Sequence, residues 1–144
     1  MWALFLVAFY SFLSKSNIVV DSEPLITPKV VLRSDLHFDG SFAYVTVCAS
    51  KTIQFQERTF SLPLPCVPRG LLCPVTALLT PLRINHVLLG RPLFSVQSTR
   101  HLRPVTYADC SSFLAKVLKA VGLDSTYYSP HSFCRGSATF TRTT

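Results

Sequence analysis

Residues 128–140 read Tyr-Ser-Pro-His-Ser-Phe-Cys-Arg-Gly-Ser-Ala-Thr-Phe. Pro130 suits the first position of a helix, and Ser129 before it is a capping residue. His131 and Arg135 then fall on the first turns, where free backbone N–H groups and the helix dipole favour anions. An imidazole that can move a proton, with a guanidinium beside it, points to a phosphate as the ligand. Lys51 is the other residue with chemical reach. It sits where a β-hairpin tip is expected, and from there an ammonium can donate to a phosphate or a leaving oxygen. Most hairpin lysines are simply solvated, so Lys51 gains weight only in company. His37, His86 and His101 stand alone without ligand spacing, and surface or structural roles are expected for them. There is no GxSxG elbow and no glycine-rich phosphate cradle, with only five glycines in the chain.

The bulk composition narrows the partner. The chain has 144 residues, enough for one domain with its own core. Hydrophobic residues make up 49% and disorder is not expected. Fourteen Lys/Arg against seven Asp/Glu give a net charge of +7, which favours a polyanion such as nucleic acid. These cations are scattered, so no basic tail is implied. Five cysteines without a CxxC pair argue against a disulfide framework and against a zinc site; no metal or other cofactor is expected. The apolar start, Met1 to Leu13, lacks a basic leader and a small-x-small cleavage pattern, and it is too short to span a bilayer. It reads as a buried helix rather than a secretion signal or membrane anchor, and a nuclear or cytoplasmic location is expected.

The elements that would hold these residues can be read in order. Residues 2–16 form a helix that is apolar nearly all round. Residues 18–28 are a proline-bearing loop. Residues 29–38 form a strand led by Val30, Val31 and Leu32, Asp39-Gly40 is a hairpin signal, and residues 41–49 alternate as a second strand. Residues 53–64 supply a third, giving a three-stranded antiparallel meander with Arg33, Lys51 and Arg58 as its basic members. Residues 64–70 are a two-proline linker. Cys73-Pro74 opens a helix that Pro81 kinks or ends early. Residues 83–91 are irregular, 92–95 extended, and 96–103 polar and basic. Thr106 and Asp109 form an acidic capping box for a helix to about Val121, with Phe113, Leu114, Val117, Leu118 and Val121 inward and Gly122 as its stop. A loop, residues 123–129, leads to the opening stretch.

Several segments together resemble the tyrosine recombinases of phage-integrase type, closest to those of eukaryotic mobile elements. Phe12-Leu13-Ser14-Lys15-Ser16-Asn17 resembles the segment that carries the family's first arginine. Leu32-Arg33-Ser34-Asp35-Leu36 resembles the strand entry after it. Ser50-Lys51-Thr52-Ile53-Gln54-Phe55 resembles the hairpin with the catalytic lysine. Leu72-Cys73-Pro74-Val75, with Ala77-Leu78, and Pro92-Leu93-Phe94 resemble the segments between that hairpin and the second box. Ser129 to Thr139 resembles the His-x-x-Arg box. The order and spacing agree over nearly the whole chain. The resemblance implies an α+β fold, mainly helical, with a small three-stranded antiparallel sheet. It implies a phosphate site in which two arginines neutralise developing charge, a lysine protonates the leaving oxygen and a tyrosine attacks phosphorus, without metal.

The departures from that pattern carry as much information. Ser14 and Cys134 occupy the two arginine positions, while Lys51 and His131 keep family positions. Arg135 is one residue past the box arginine, about 100° round the helix, and Lys15 is one past the first. Lysine also lacks the fork. Tyr10, Tyr44, Tyr107, Tyr127 and Tyr128 all precede the place of the family's nucleophile, so residues 1–144 are expected to be a partial catalytic domain without its C-terminal tyrosine segment. The resemblance thus implies a DNA-binding remnant of a recombination and integration enzyme that no longer cleaves. Lys51, Arg135, Arg33 and Arg58 would meet the phosphate backbone, with a homo-oligomer on DNA as the matching assembly. The competing expectation is a decayed transposon fragment or a domesticated protein-interaction module without DNA activity.

Overall fold

The computed structural model describes residues 1–21, 29–48, 59–67, 70–133, 135–136 and 139. It is a mixed helix and sheet fold with a three-stranded antiparallel sheet, as expected. Lys51 and Arg58, the strand expected from residue 53 up to residue 58, and Cys134 lie outside the described residues.

Helix α1 (Trp2–Ser11) has no polar face, and Ala3 to Ala8 and Ser11 are all buried. It is shorter than the sequence suggests. Phe12 turns left-handed at φ 55°, and a separate short helix α2 (Lys15–Ile18) follows, with Ser14 extended at its N-cap. The break lets the chain change direction while Leu13, Ile18, Val19 and Val20 stay in the core. Val20 then donates to Val105 O (3.1 Å) and accepts from Tyr107 N (3.2 Å), which fixes the end of this segment to the start of a helix far along the chain.

The sheet is the meander β1 (Leu36–Asp39), β2 (Phe42–Val47) and β3 (Phe60–Pro65), in that spatial order. Val30 and Val31 are buried but form no strand, contrary to expectation. The Asp35 carboxylate accepts the Leu32 N–H (2.8 Å) and winds residues Arg33–Asp35 into a 3-10 turn, so the strand begins only at Leu36. Gly40, at φ 53°, supplies the left-handed residue that closes the β1–β2 hairpin. Along β2, Ala43, Val45 and Val47 face the core while Phe42, Tyr44 and Thr46 face out, as the alternation requires. Strand β3 runs through Pro63 and Pro65, where a linker was expected from residue 64. It is an edge strand, so a proline can sit there without breaking a ladder bond.

Helix α3 (Pro74–Asn85) starts at Pro74 behind Cys73 as expected. Pro81 does not end it, and the helix closes only at His86, φ 45°. Burial of Val75 and Leu78 against α1 outweighs the lost backbone hydrogen bond. A second hairpin, β4 (Ser95–Gln97) with β5 (Leu102–Pro104), starts at the end of the segment expected to be extended and runs through the stretch read as polar and basic. Helix α4 (Tyr107–Ala120) follows with its expected cap, and Gly122 at φ 77° stops it. Its buried line is Cys110, Leu114 and Leu118; Val117 and Val121, expected inside, are exposed. Phe5 of α1 stacks on Phe113 (5.9 Å) and on Phe133 (4.5 Å), which ties α4 and the final helical turns to the core. Among the described residues no helix is long and apolar enough to cross a membrane.

Candidate phosphate-facing site

Three sequence-distant segments meet at the N-terminus of α4. Tyr107 is its first residue, and the cap that starts the helix fixes it. Thr106 Oγ1 accepts the Asp109 N–H (3.2 Å), and the Asp109 carboxylate accepts the Thr106 N–H (2.9 Å). Arg103 adds a two-toothed grip on Asp109, at 2.6 and 2.8 Å. The Arg103 guanidinium beside it, with the Thr106 amide and hydroxyl, holds the Asp109 carboxyl well below the usual carboxylate range, against the opposing effect of burial. Arg103 is therefore committed to structure, within a stretch that the sequence marks only as polar and basic.

Lys15 reaches this point from α2. Its Nζ lies 4.6 Å above the Tyr107 ring and 3.5 Å from Asp21 Oδ1. An ammonium over an aromatic face is attracted by the ring quadrupole. His131 comes from the opposite end of the chain, its ring 6.4 Å from that of Tyr107. Pro130, Lys15 and Tyr107 together line a small cavity of about 20 Å³ whose floor is Phe5, Leu13 and Cys110. Cys110 is no nucleophile here. Burial, then the Asp109 charge, pushes its thiol up to about 11.

Ser14, which the motif resemblance sets at a first-arginine position, is half-buried and turned toward its own segment. Its hydroxyl donates to Asn17 Oδ1 (2.8 Å) and meets Ser16 Oγ at 2.8 Å. Asn17 is 1% exposed and donates to Lys29 O (2.9 Å), so the segment is anchored from below. No protein-family model, curated protein or solved structure matches this chain. The site therefore stands on its own geometry and on the motif resemblance.

The other sequence candidates separate. Residues 131–133, 135 and 136 are helical, as expected after Pro130. The capping contact runs opposite to the simplest expectation, because Ser132 Oγ accepts the Ser129 N–H (3.1 Å). His131 and Arg135 are exposed on these turns. Arg33 is half-buried and donates to Leu36 O (3.3 Å), so its guanidinium is partly spent inside the fold. His37, His86 and His101 are exposed. Among the described residues no three His, Cys, Asp or Glu side chains are grouped to hold a metal ion.

Sequence reasoning missed Tyr107 as part of the site. The signal available was its place directly after the Thr106 cap, which fixes a first-turn residue at a positively polarised helix end. What brings Lys15 and His131 to it is long-range packing, which carries no local signature.

Proposed function

We propose that this chain binds DNA through its phosphate backbone as a catalytically silent domain of tyrosine-recombinase type. The observation that carries the reading is the meeting of Lys15 and His131 around Tyr107. These two residues belong to the segments that resemble the first-arginine and His-x-x-Arg boxes, and those segments must share one phosphate if the resemblance holds. The exposed Arg135 one turn on, and the net charge of +7, supply the attraction. Silence follows from Ser14 and Cys134. Neither carries a guanidinium, and loss of a single oriented donor to a developing oxyanion costs about 10² to 10³ in rate.

A salt titration tests it. Duplex binding by the full chain should weaken linearly in log affinity against log salt, and each phosphate contact contributes about 0.9 to the slope. Arg135→Ala should lower the slope by about one such contact. Ser14→Arg should tighten binding about tenfold by returning a fork to a position that now holds a hydroxyl. A slope near zero for the folded chain would remove the DNA reading. It would leave the interaction-module reading, which the exposed Ile84, Leu88 and Leu89 favour. A covalent adduct on a nicked suicide duplex would overturn the silence.

A further inference from the structure

We propose that Cys66 and Cys73 form a redox-active dithiol, which a hydroperoxide converts reversibly into a disulfide joining the end of β3 to the start of α3. The two thiols belong to neither the phosphate-facing cluster nor any CxxC motif, and they are neighbours only in the fold. Cys66 follows β3 directly, its N–H held by Ser41 O (2.9 Å). The chain then turns back, with Gly70 N donating to Val67 O and Cys73 N to Gly70 O, each at 3.2 Å. This places the two sulfurs 4.0 Å apart. A disulfide needs them about 2 Å closer, so the two side chains must turn toward each other for the bond to form.

The two sulfurs have different surroundings, and the difference assigns their roles. Cys73 is the N-cap of a twelve-residue helix. Its sulfur receives the Thr76 N–H (3.4 Å), the Thr76 hydroxyl (3.3 Å) and the Val67 N–H (3.3 Å). Burial pushes this thiol up, but these donors and the Cys66 thiol outweigh it and bring it down to about 7. A sulfur so held carries thiolate near neutral pH; Cys73 is only 2% exposed, so a small hydroperoxide must reach it past the half-buried Cys66. Cys66 is half-buried, and its thiol is held up by its hydrogen bond to Cys73 and by burial, which keeps it protonated as the resolving partner.

The chemistry balances in two steps. The Cys73 thiolate attacks one oxygen of the hydroperoxide, the O–O bond breaks, and the departing hydroxide (or alkoxide) takes a proton. Cys73 is then a sulfenic acid. The Cys66 sulfur attacks the Cys73 sulfur, the S–O bond breaks, and the oxygen leaves as water with the Cys66 proton. Two thiols have lost two electrons, and the peroxide has been reduced by two. A small-molecule dithiol reverses the change by exchange.

The experiment is cysteine mapping by mass spectrometry after brief treatment of the reduced full chain with equimolar hydrogen peroxide at pH 7. The expected product is a Cys66–Cys73 cross-link two hydrogens lighter than the dithiol, formed about tenfold faster than any oxidation at half-buried Cys48. Cys66→Ser should stop at a sulfenic acid on Cys73 that a dimedone probe captures. Cys73→Ser keeps a good N-cap oxygen, so the chain should fold and lose the fast phase. Oxidation spread over Cys48, Cys110 or Cys134 before the 66–73 pair, or a fast phase that survives Cys73→Ser, would overturn the proposal. Because mapping of the unaltered chain needs no variant, a misfolded variant does not blunt the test.

Discussion

Asp109→Ala should destabilise the domain by about 3 kcal/mol at neutral pH and flatten its acid dependence. The carboxylate is the meeting point of four donors, two from Arg103 and two from Thr106. Loss of a helix cap costs about 1 kcal/mol, and a charge-assisted hydrogen bond contributes about 1.5 to 3 kcal/mol. The two side chains are only 29% and 27% exposed, so solvent replaces little of what is lost. The pH dependence follows from the depressed carboxyl. Its contribution is fully present above the unfolded carboxylate value near 4 and is lost as pH falls below that, toward the folded value. By pH 3 the intact protein should have lost about 1 kcal/mol from this group. The alanine variant has no such loss to suffer, so the gap between the two proteins should narrow in acid. Urea unfolding at pH 7 and pH 3 measures both. A gap that stays constant with pH would show that Asp109 acts through packing rather than through its charge.

That network also shows what local sequence can reveal. Thr106 and Asp109 sit three apart before an apolar run, and the box they form depends on nothing beyond one helical turn. Gly122 likewise marks a stop because its left-handed backbone is a local demand. The alternation along β2 was legible for the same reason, since a strand with one buried face must repeat every two residues. Where the sequence misled, a distant neighbour decided the outcome. Pro81 stays inside a helix because α3 lies on α1. Pro63 and Pro65 stay inside a strand because, among the described residues, β3 has no partner on its outer side. The hairpin β4–β5 joins short segments whose polar residues give no clean alternation. Phe12 breaks the first helix although nothing in its own residue type demands it, because Leu13 and Ile18 must both reach the core.

The candidate site divides along the same line. Of its residues, His131 was singled out by the sequence, whereas Lys15 was set aside as one past the first-arginine position and gains its place only through the fold. Their common neighbour was not readable. Tyr107 becomes part of the site only because Val20 pairs with the entry to α4 and Phe5 stacks on Phe133. The roles of the cations also changed once partners were visible. Arg103 is consumed by Asp109 and Arg33 is partly engaged by Leu36 O, while Arg135 stays exposed. Counting basic residues therefore overstates the charge available to a phosphate chain, and the exposed subset is what a salt slope would measure.

Leu78→Ala should be the other large loss, about 3 to 4 kcal/mol, and it separates folding from binding. Leu78 is 1% exposed and lies in the face of α3 that packs on α1. Truncating a buried leucine costs about 2 to 5 kcal/mol, and the upper part of the range applies where the surroundings cannot close the gap. Here they are poorly placed to do so. Leu78 already borders a cavity of about 90 Å³ lined by Leu4, Leu82, Leu93 and Phe94, and a second void opened beside it merges with the first. The walls come from α1, α3 and the segment leading to β4, each anchored elsewhere. The lost stability should appear as a lower urea midpoint with an unchanged denaturant slope. This cavity is also lined on one side by Met1 and Ala3, at the start of α1, whereas Phe5 and Ala8 face the cavity beside Lys15 and Tyr107, and Leu4 borders both. The variant should therefore keep the salt slope of DNA binding at temperatures where it stays folded. A slope that fell with stability would mean that the packing of α1 on α3 sets the geometry around Tyr107, and that the cluster of Lys15, Tyr107 and His131 is not an independent unit of the fold.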